Sequence, residues 1–363
     1  MSLDKVSLTQ IRQQLAAAGD PWDAGPTSMS VLSPAEQRAR LGVTPPPGTP
    51  DPSTVPRPPA AAQSAASVGA PASFFWGTPS NNNYITPVKD QGGCGSCVAF
   101  GTTAVAESMT RIQRGNPGLA VDLSEAHLFF CHGPASGASC SNGWWPTSAF
   151  DAYKNLGVAD EDCFPYNAGA TSCSACGDVA NRLTRITGYQ DLTNNPAAMK
   201  EWIANRGPLS TCFYVYDDFF SYRSGVYRHV TGNLAGGHCV SIVGYDDAGG
   251  YWMCKNSWNT GWGDQGYFCI AYGDSNIETW GVHGVEGIEN TGWRSNVRVL
   301  GLWTIAQDRN AWAYMDGYGW RRIAPDNDNI VHDMLAQLIA CKARGGVVSF
   351  YEEQGVIKQI YAF

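Results

Sequence analysis

Apolar residues recur along this chain with two periods. At helical spacing, Leu8, Ile11 and Leu15 predict a short helix over residues 7–18 with Ser7 as its cap. A second helix is predicted to open at Ser33-Pro34-Ala35-Glu36, a capping box with proline in the first helical position, and to end near Leu41-Gly42. Val98, Val105, Ala106, Met109 and Ile112 predict a longer helix from Cys97 to about Arg114, and Ser124-Glu125 opens another through Phe130. Beyond Pro208 the texture turns to strands, over 209–215, 239–245, 251–255 and 266–272. After about Asn290 comes a mixed segment that looks separate. It has strands over 297–305 and 311–315, a helix over 329–342 with Val331, Met334, Leu335, Leu338 and Cys341 inward, and a hairpin of 347–351 with 356–361.

One stretch has neither period. Residues 44–72 are Pro, Ala, Ser and Gly with almost nothing to bury, so an extended or mobile connector is expected there. Residues 1–72 hold 12 of the 21 prolines and none of the 12 cysteines, so two materials share one chain. Its 363 residues, 44% hydrophobic and 15% charged, are enough for a core domain with appendages and exclude wholesale disorder. The net charge of −8 and scattered basic residues argue against a nucleic acid or an anionic membrane as partner. No apolar run reaches the roughly 18 residues of a membrane span. The cysteine density suggests an oxidising compartment, although the start MSLDKVSLTQ has no apolar signal-peptide core.

The chemistry concentrates in Gln91-Gly92-Gly93-Cys94-Gly95-Ser96-Cys97-Val98-Ala99-Phe100. A helix N-terminus stabilises a thiolate, and Cys97 is placed there; Gln91 can aim an amide N–H at a developing oxyanion. Three other readings compete: a thioredoxin-type Cys94-x-x-Cys97 pair, half of a zinc site with Cys173-x-x-Cys176, or a purely structural role. The first lacks the preceding strand and the second lacks the usual spacing. Downstream, Gly236-Gly237-His238-Cys239-Val240 puts a histidine at the start of a strand. The run from Tyr251 to Gly263 adds Asn256, which can orient an imidazole, and Trp258, which can shield that bond from water.

These segments resemble the papain family of cysteine peptidases over about residues 72–286. The motifs that carry the likeness are Pro87-Val88-Lys89-Asp90-Gln91 through Phe100, Leu123-Ser124-Glu125, Gly237-His238, Asn256-Ser257-Trp258 and Gly261-Trp262-Gly263. The resemblance implies an α+β fold of two lobes, a helical left lobe and an antiparallel, barrel-like right lobe with a cleft between them, plus a small α+β extension. The divisions it suggests are 1–72 as prosegment and connector, 73–289 as peptidase domain, and 290–363 as extension. It implies that Cys97 attacks a scissile carbonyl and that His238 pairs with Cys97 and protonates the leaving amine. Asn256 would orient His238, and Gln91 with the Cys97 amide would hold the oxyanion of an acyl-enzyme pathway without cofactor or metal. Substrate would meet Asn142, Gly143, Trp144, Trp145, Cys212, Gly237, Cys239 and Trp258.

The same resemblance suggests disulfides Cys94–Cys140, Cys131–Cys173 and Cys163–Cys176. It leaves Cys212 with Cys239, and Cys254 with Cys269, open between bonded pairs and buried thiols. With Cys97 set aside, 11 cysteines remain, so at least one more thiol is expected free, Cys341 foremost. Trp22-Asp23-Ala24-Gly25 and the run from Met29 to Gln37 are similar to the end of the family's inhibitory prosegment, which implies a secreted zymogen with its own N-terminal segment as inhibitor. Two departures, Phe75 and Val98, remove no catalytic group. Trp144 stands where the family's substrate loop has a second glycine, so a narrowed cleft is expected. The alternative is therefore a catalytically weak binding protein of the same fold, and a disulfide oxidoreductase using Cys94 and Cys97 is a third reading. In the extension, where packing or assembly is expected over ligand binding, Trp303, Trp312, Tyr318 and Trp320 are expected to form a small core more readily than a ligand face.

Overall fold

The computed structural model describes residues 5–44, 69–78, 84–353 and 355–362. Most of the expected 44–72 connector lies outside these residues. Helices dominate the first half and a mainly antiparallel sheet the second, an α+β arrangement with three large apolar cores and one small one among the described residues.

The left core surrounds the helix Cys97–Gln113, whose long run of small and apolar side chains is buried on almost every face. Against it pack the helix Pro146–Asn155 and a single π-helical turn, His127–His132, where a regular α-helix was expected through Phe130. The right core is built on strands Leu209–Tyr216, Leu234–Asp246, Tyr251–Lys255 and Tyr267–Ala271, adjacent and mutually antiparallel, with the indoles of Trp252, Trp258 and Trp262 inside. The central helix crosses directly onto strand Leu234–Asp246. At Gly101 the approach is so close that a Cβ would lie 2.8 Å from the Cys239 sulfur, so only glycine permits this packing distance.

Ahead of the lobes, Ser7 and Ser33 cap the helices Leu8–Ala17 and Pro34–Arg38, each through a complete capping box. The second helix stops at Arg38 instead of running on towards Leu41-Gly42; Arg40 and Leu41 turn back onto its end, and residues 42–44 make their hydrogen bonds elsewhere. Between the two helices, Trp22–Ala24 adds a strand to the edge Tyr222–Tyr227. Ile11, Leu15, Trp22, Ala24 and Met29 thereby join the right core.

The strand His283–Thr304 pairs early with Thr184–Asp191 and late with Ala311–Met315 and Val347–Glu353, so one strand runs from the right lobe into the C-terminal sheet. The helix Asp328–Arg344 covers one face of that sheet with Val331, Leu338 and Cys341. The expectation that the extension's aromatics form its core is corrected for Trp303 and Trp320, while Tyr318 packs against that core beside Phe350. Strand alternation turns Trp303 and Trp320 outward, 45% and 47% exposed, while Val297, Val299, Ala313, Met315 and Ile323 fill the interior. Glu352, fully buried, faces Arg294, Arg321 and Arg114, and Arg114 ends the central helix.

Candidate active site

Cys97 is the first residue of the central helix, and no side chain caps that helix: Ser96 Oγ instead meets the Tyr166 hydroxyl at 2.6 Å. The first-turn amides and the positive dipole end are therefore left for the sulfur. The preceding loop is held by a buried ion cluster. Lys89 Nζ lies 2.9 Å from both Glu107 and Glu125 and 2.6 Å from Asp122, while Lys255 donates to Thr86, which donates to Glu107. Burial opposes ionisation of Glu107, yet Lys89 and Lys255 hold its pKa below the usual value. Burial lifts Glu125 to about 8 and lowers Lys255 to about 8. The backbone N–H of Gln91 then donates to Ser257 O at 2.9 Å, tying the Cys97 loop to the Asn256 loop.

His238 lies inside strand Leu234–Asp246, which starts five residues before the expected start at Cys239, and it is fully buried. Its Nε2 is 2.7 Å from Asn256 Oδ1, and its ring stacks on Trp258 with centroids 4.6 Å apart. Its Nδ1 is buried without a hydrogen-bond partner. The next peptide reaches the thiol: the backbone amides of Cys239 and Val98 favour the thiolate form of Cys97. Burial pushes the Cys97 thiol well above its ordinary pKa despite those amides, and burial lowers His238 to about 4 although the Asn256 bond opposes this. Burial thus favours the neutral form of both groups. The Gln91 side chain is held by Ser257 Oγ, which donates to Oε1 at 2.8 Å, and its Nε2 donates to the carbonyls of Cys94 at 2.9 Å and Arg40 at 3.0 Å. A thiol at a helix N-terminus, an oriented imidazole and an aimed amide are the parts that nucleophilic acyl transfer requires.

Residues 40–44 occupy the cleft. Gly42 and Val43 donate to Gly237 O at 3.1 and 3.3 Å, Trp144 N donates to Gly42 O at 2.8 Å, and Thr44 N donates to Trp144 O at 3.1 Å. The Thr44 hydroxyl also donates to Asn142 O. A Cβ on Gly42 would fall 1.9 Å from Gly95 O, and one on Gly143 2.2 Å from the Gly42 carbonyl. Asn142, Gly143, Trp144 and Gly237 are thus brought together as cleft walls. The expected obstruction by Trp144 is corrected: its indole turns into the left core, donates to Ser136 Oγ at 2.8 Å, packs on Phe129 and is 3% exposed, leaving only its backbone at the cleft. Trp145 is half-buried with its ring 6.3 Å from that of Trp280. Trp258 serves His238 from behind rather than standing open in the cleft. Cys212 and Cys239 are buried beneath it, opposite each other on neighbouring strands.

Three disulfides join Cys94 to Cys140, Cys131 to Cys173 and Cys163 to Cys176. Cys97, Cys212, Cys239, Cys254, Cys269 and Cys341 are free, so both open cysteine couples are thiols. A Cys94–Cys97 bond is absent because Cys94 is committed to Cys140. Among the described residues there is no cluster of potential metal ligands and no helix long and apolar enough to cross a membrane. Sequence reasoning missed Arg40–Thr44 as cleft occupants, the Ser257 support of Gln91, and Tyr166, whose hydroxyl donates to Gln91 O at 2.8 Å. The adjacency of Ser257 to Asn256 was the one available signal.

Residues 70–285 match the family described as "Papain family cysteine protease". The chain is 37% identical over 207 residues to "Cathepsin B-like CP2" of Giardia intestinalis, covering 53% of this chain and 67% of the relative. It is 36% identical over 211 residues to "Pro-cathepsin H" of Mus musculus, covering 56% and 61%. The chain therefore spans about two thirds or less of the length of these relatives. Among solved structures, "proCathepsin B S9 from Trypanosoma congolense" superposes with a TM-score of 0.62 at 29% identity, over 77% of this chain and 98% of that one. A digestive procathepsin L 3 of Tenebrio molitor larval midgut gives 0.60 at 26% identity, over 77% and 87%.

Proposed function

Because the chain belongs to the papain family of cysteine proteases, we propose that it hydrolyses peptide bonds through Cys97, His238 and Asn256 and is made as a zymogen closed by its own residues 40–44. The observation that carries this reading is the Gln91 amide donating to the Arg40 carbonyl while Gly42, Val43 and Thr44 hydrogen-bond to the cleft walls at Gly237 and Trp144. A backbone already lies where a substrate backbone would lie, with a carbonyl on the proposed oxyanion donor.

Removing that segment readmits water, which relaxes the burial that keeps thiol and imidazole neutral. The proton then passes from Cys97 to His238, and the ion pair forms at the helix N-terminus. The thiolate attacks the scissile carbonyl carbon, and Gln91 Nε2 and the Cys97 N–H hold the oxyanion. His238 protonates the departing amine, and it later takes a proton from the water that hydrolyses the thioester. Asn256 fixes the ring orientation, and Trp258 keeps water from their bond. Processing is placed near Ser73, past the proline-rich connector, and the three disulfides support a secreted or otherwise extracytoplasmic setting.

The test is covalent labelling by an epoxide inhibitor of papain-type enzymes, before and after acid incubation with reductant. Labelling of Cys97 after N-terminal processing, lost in His238→Ala, is expected. Full labelling of unprocessed protein sinks the zymogen reading, and no labelling after processing favours a binding role.

A further inference from the structure

Two thiols outside the proposed catalytic set sit together beneath the cleft. Cys212 on strand Leu209–Tyr216 lies directly opposite Cys239 on strand Leu234–Asp246. The Cys212 N–H turns away from this ladder to donate to Trp280 O at 3.0 Å, and the Cys239 N–H serves the Cys97 sulfur. The two residues are therefore a non-hydrogen-bonded antiparallel pair, whose Cα atoms stand about 4.5 Å apart, inside the range of about 4.4–6.8 Å that a disulfide needs. Cys239 is the side-chain neighbour that bears on the Cys212 thiol, and Ser210 Oγ lies 3.4 Å from the Cys239 sulfur. Gly101 leaves the space that sulfur fills, one helical turn from Cys97. Cys254 and Cys269 provide a contrast within the same sheet. They oppose Phe268 and Met253 and not each other.

We propose that Cys212 and Cys239 form a redox-responsive dithiol that closes reversibly to a disulfide under a small two-electron oxidant. With hydrogen peroxide, one sulfur attacks a peroxide oxygen, the O–O bond breaks, and a sulfenic acid and one water result. The second thiol attacks the sulfenic sulfur, the S–O bond breaks, and the disulfide and a second water form. The dithiol loses two electrons and two protons, and the peroxide is reduced to two waters. The bond draws the Cys239 sulfur from its seat against Gly101 onto the neighbouring strand. It thereby clamps the residue that follows His238 and reshapes the floor on which Val43 of the N-terminal segment packs. Burial holds the Cys212 thiol protonated, which makes closure slow near neutral pH and faster as pH rises.

The experiment uses the full chain carrying Cys97→Ser, so that oxidation of the proposed nucleophile and the peptidase reading itself do not enter the result. After peroxide treatment and denaturing alkylation, peptide mapping without reduction should find the Cys212 and Cys239 peptides joined. Dithiothreitol should restore both alkylation sites together, and added Cys212→Ala should abolish the link while the melting profile shows a folded chain. Separate alkylation of Cys212 and Cys239 after a treatment that oxidises half-exposed Cys269 overturns the proposal, as does a Cys254–Cys269 link formed in preference.

Discussion

Gly42→Ala is the sharpest single perturbation of the closed state. The added Cβ falls 1.9 Å from Gly95 O and 2.3 Å from Gly95 C, both backbone atoms. Gly95 has little freedom to yield, because its N–H donates to Cys140 O at 3.0 Å and Cys94 is disulfide-bonded to Cys140. The segment must lift, and lifting it breaks four backbone hydrogen bonds, from Gly42 and Val43 to Gly237, from Trp144 to Gly42, and from Thr44 to Trp144. At about 1 kcal/mol net each, the closed form loses about 4 kcal/mol, which corresponds to roughly a thousandfold shift towards the open form. The assay is the alkylation rate of Cys97 in unprocessed protein. Gly177→Ala, with nothing within 4 Å of its Cβ, serves as the control. Alkylation as slow in Gly42→Ala as in the parent, with the fold intact by melting, would refute the placement of this segment over the thiol.

The same closure should be nearly independent of pH between about 6 and 5, because the closed neutral pair and the opened thiolate–imidazolium pair hold the same single proton. Hydrogen exchange of the Gly42 and Thr44 amides, corrected for intrinsic rates, should stay flat over that window, and an acceleration on acidification would count against transfer of the proton from Cys97 to His238. Gln91→Ala should lower kcat of the processed enzyme by about 10²–10³-fold with little change in KM; steady-state kinetics on a peptide substrate check this, and a pure KM effect would assign Gln91 to binding. Glu352→Gln should cost about 3–5 kcal/mol by leaving Arg294, Arg321 and Arg114 around a neutral amide. Denaturant unfolding followed by the extension's tryptophans reads this, and a loss below about 1 kcal/mol would show that the cluster adds little to holding the extension.

Much was legible because it is local. Helical spacing and two capping boxes marked Leu8–Ala17, the start of Pro34–Arg38, Cys97–Gln113 and Asp328–Arg344, and strand patterning marked Leu209–Tyr216, Tyr251–Lys255, Tyr267–Ala271, Ala311–Met315 and most of Leu234–Asp246, but not Tyr222–Tyr227 or Gly319–Ile323. Shorter elements escaped. Trp22–Ala24 is too short for a period to show and exists as a strand because Tyr222–Tyr227 offers an edge. The π turn at His127–His132 also has no signature in a hydrophobic pattern.

The sequence by itself determined the chemical inventory: a cysteine at a helix start, a glutamine six residues before it, a histidine and an asparagine on later strands, and tryptophans behind them. Tertiary structure alone decided what each of these faces. Trp144 looked like an obstruction and became core, because a side chain's direction depends on where the neighbouring lobe leaves space. Residues 40–44 looked like the end of a helix and became the occupant of the cleft, because their hydrogen-bond partners at Gln91, Trp144 and Gly237 lie 50 to 200 residues away. Cys212 and Cys239 were open between bonded and free until strand register set them face to face. Period and capping are properties of neighbouring residues, whereas register, occlusion and burial arise only when distant backbones meet.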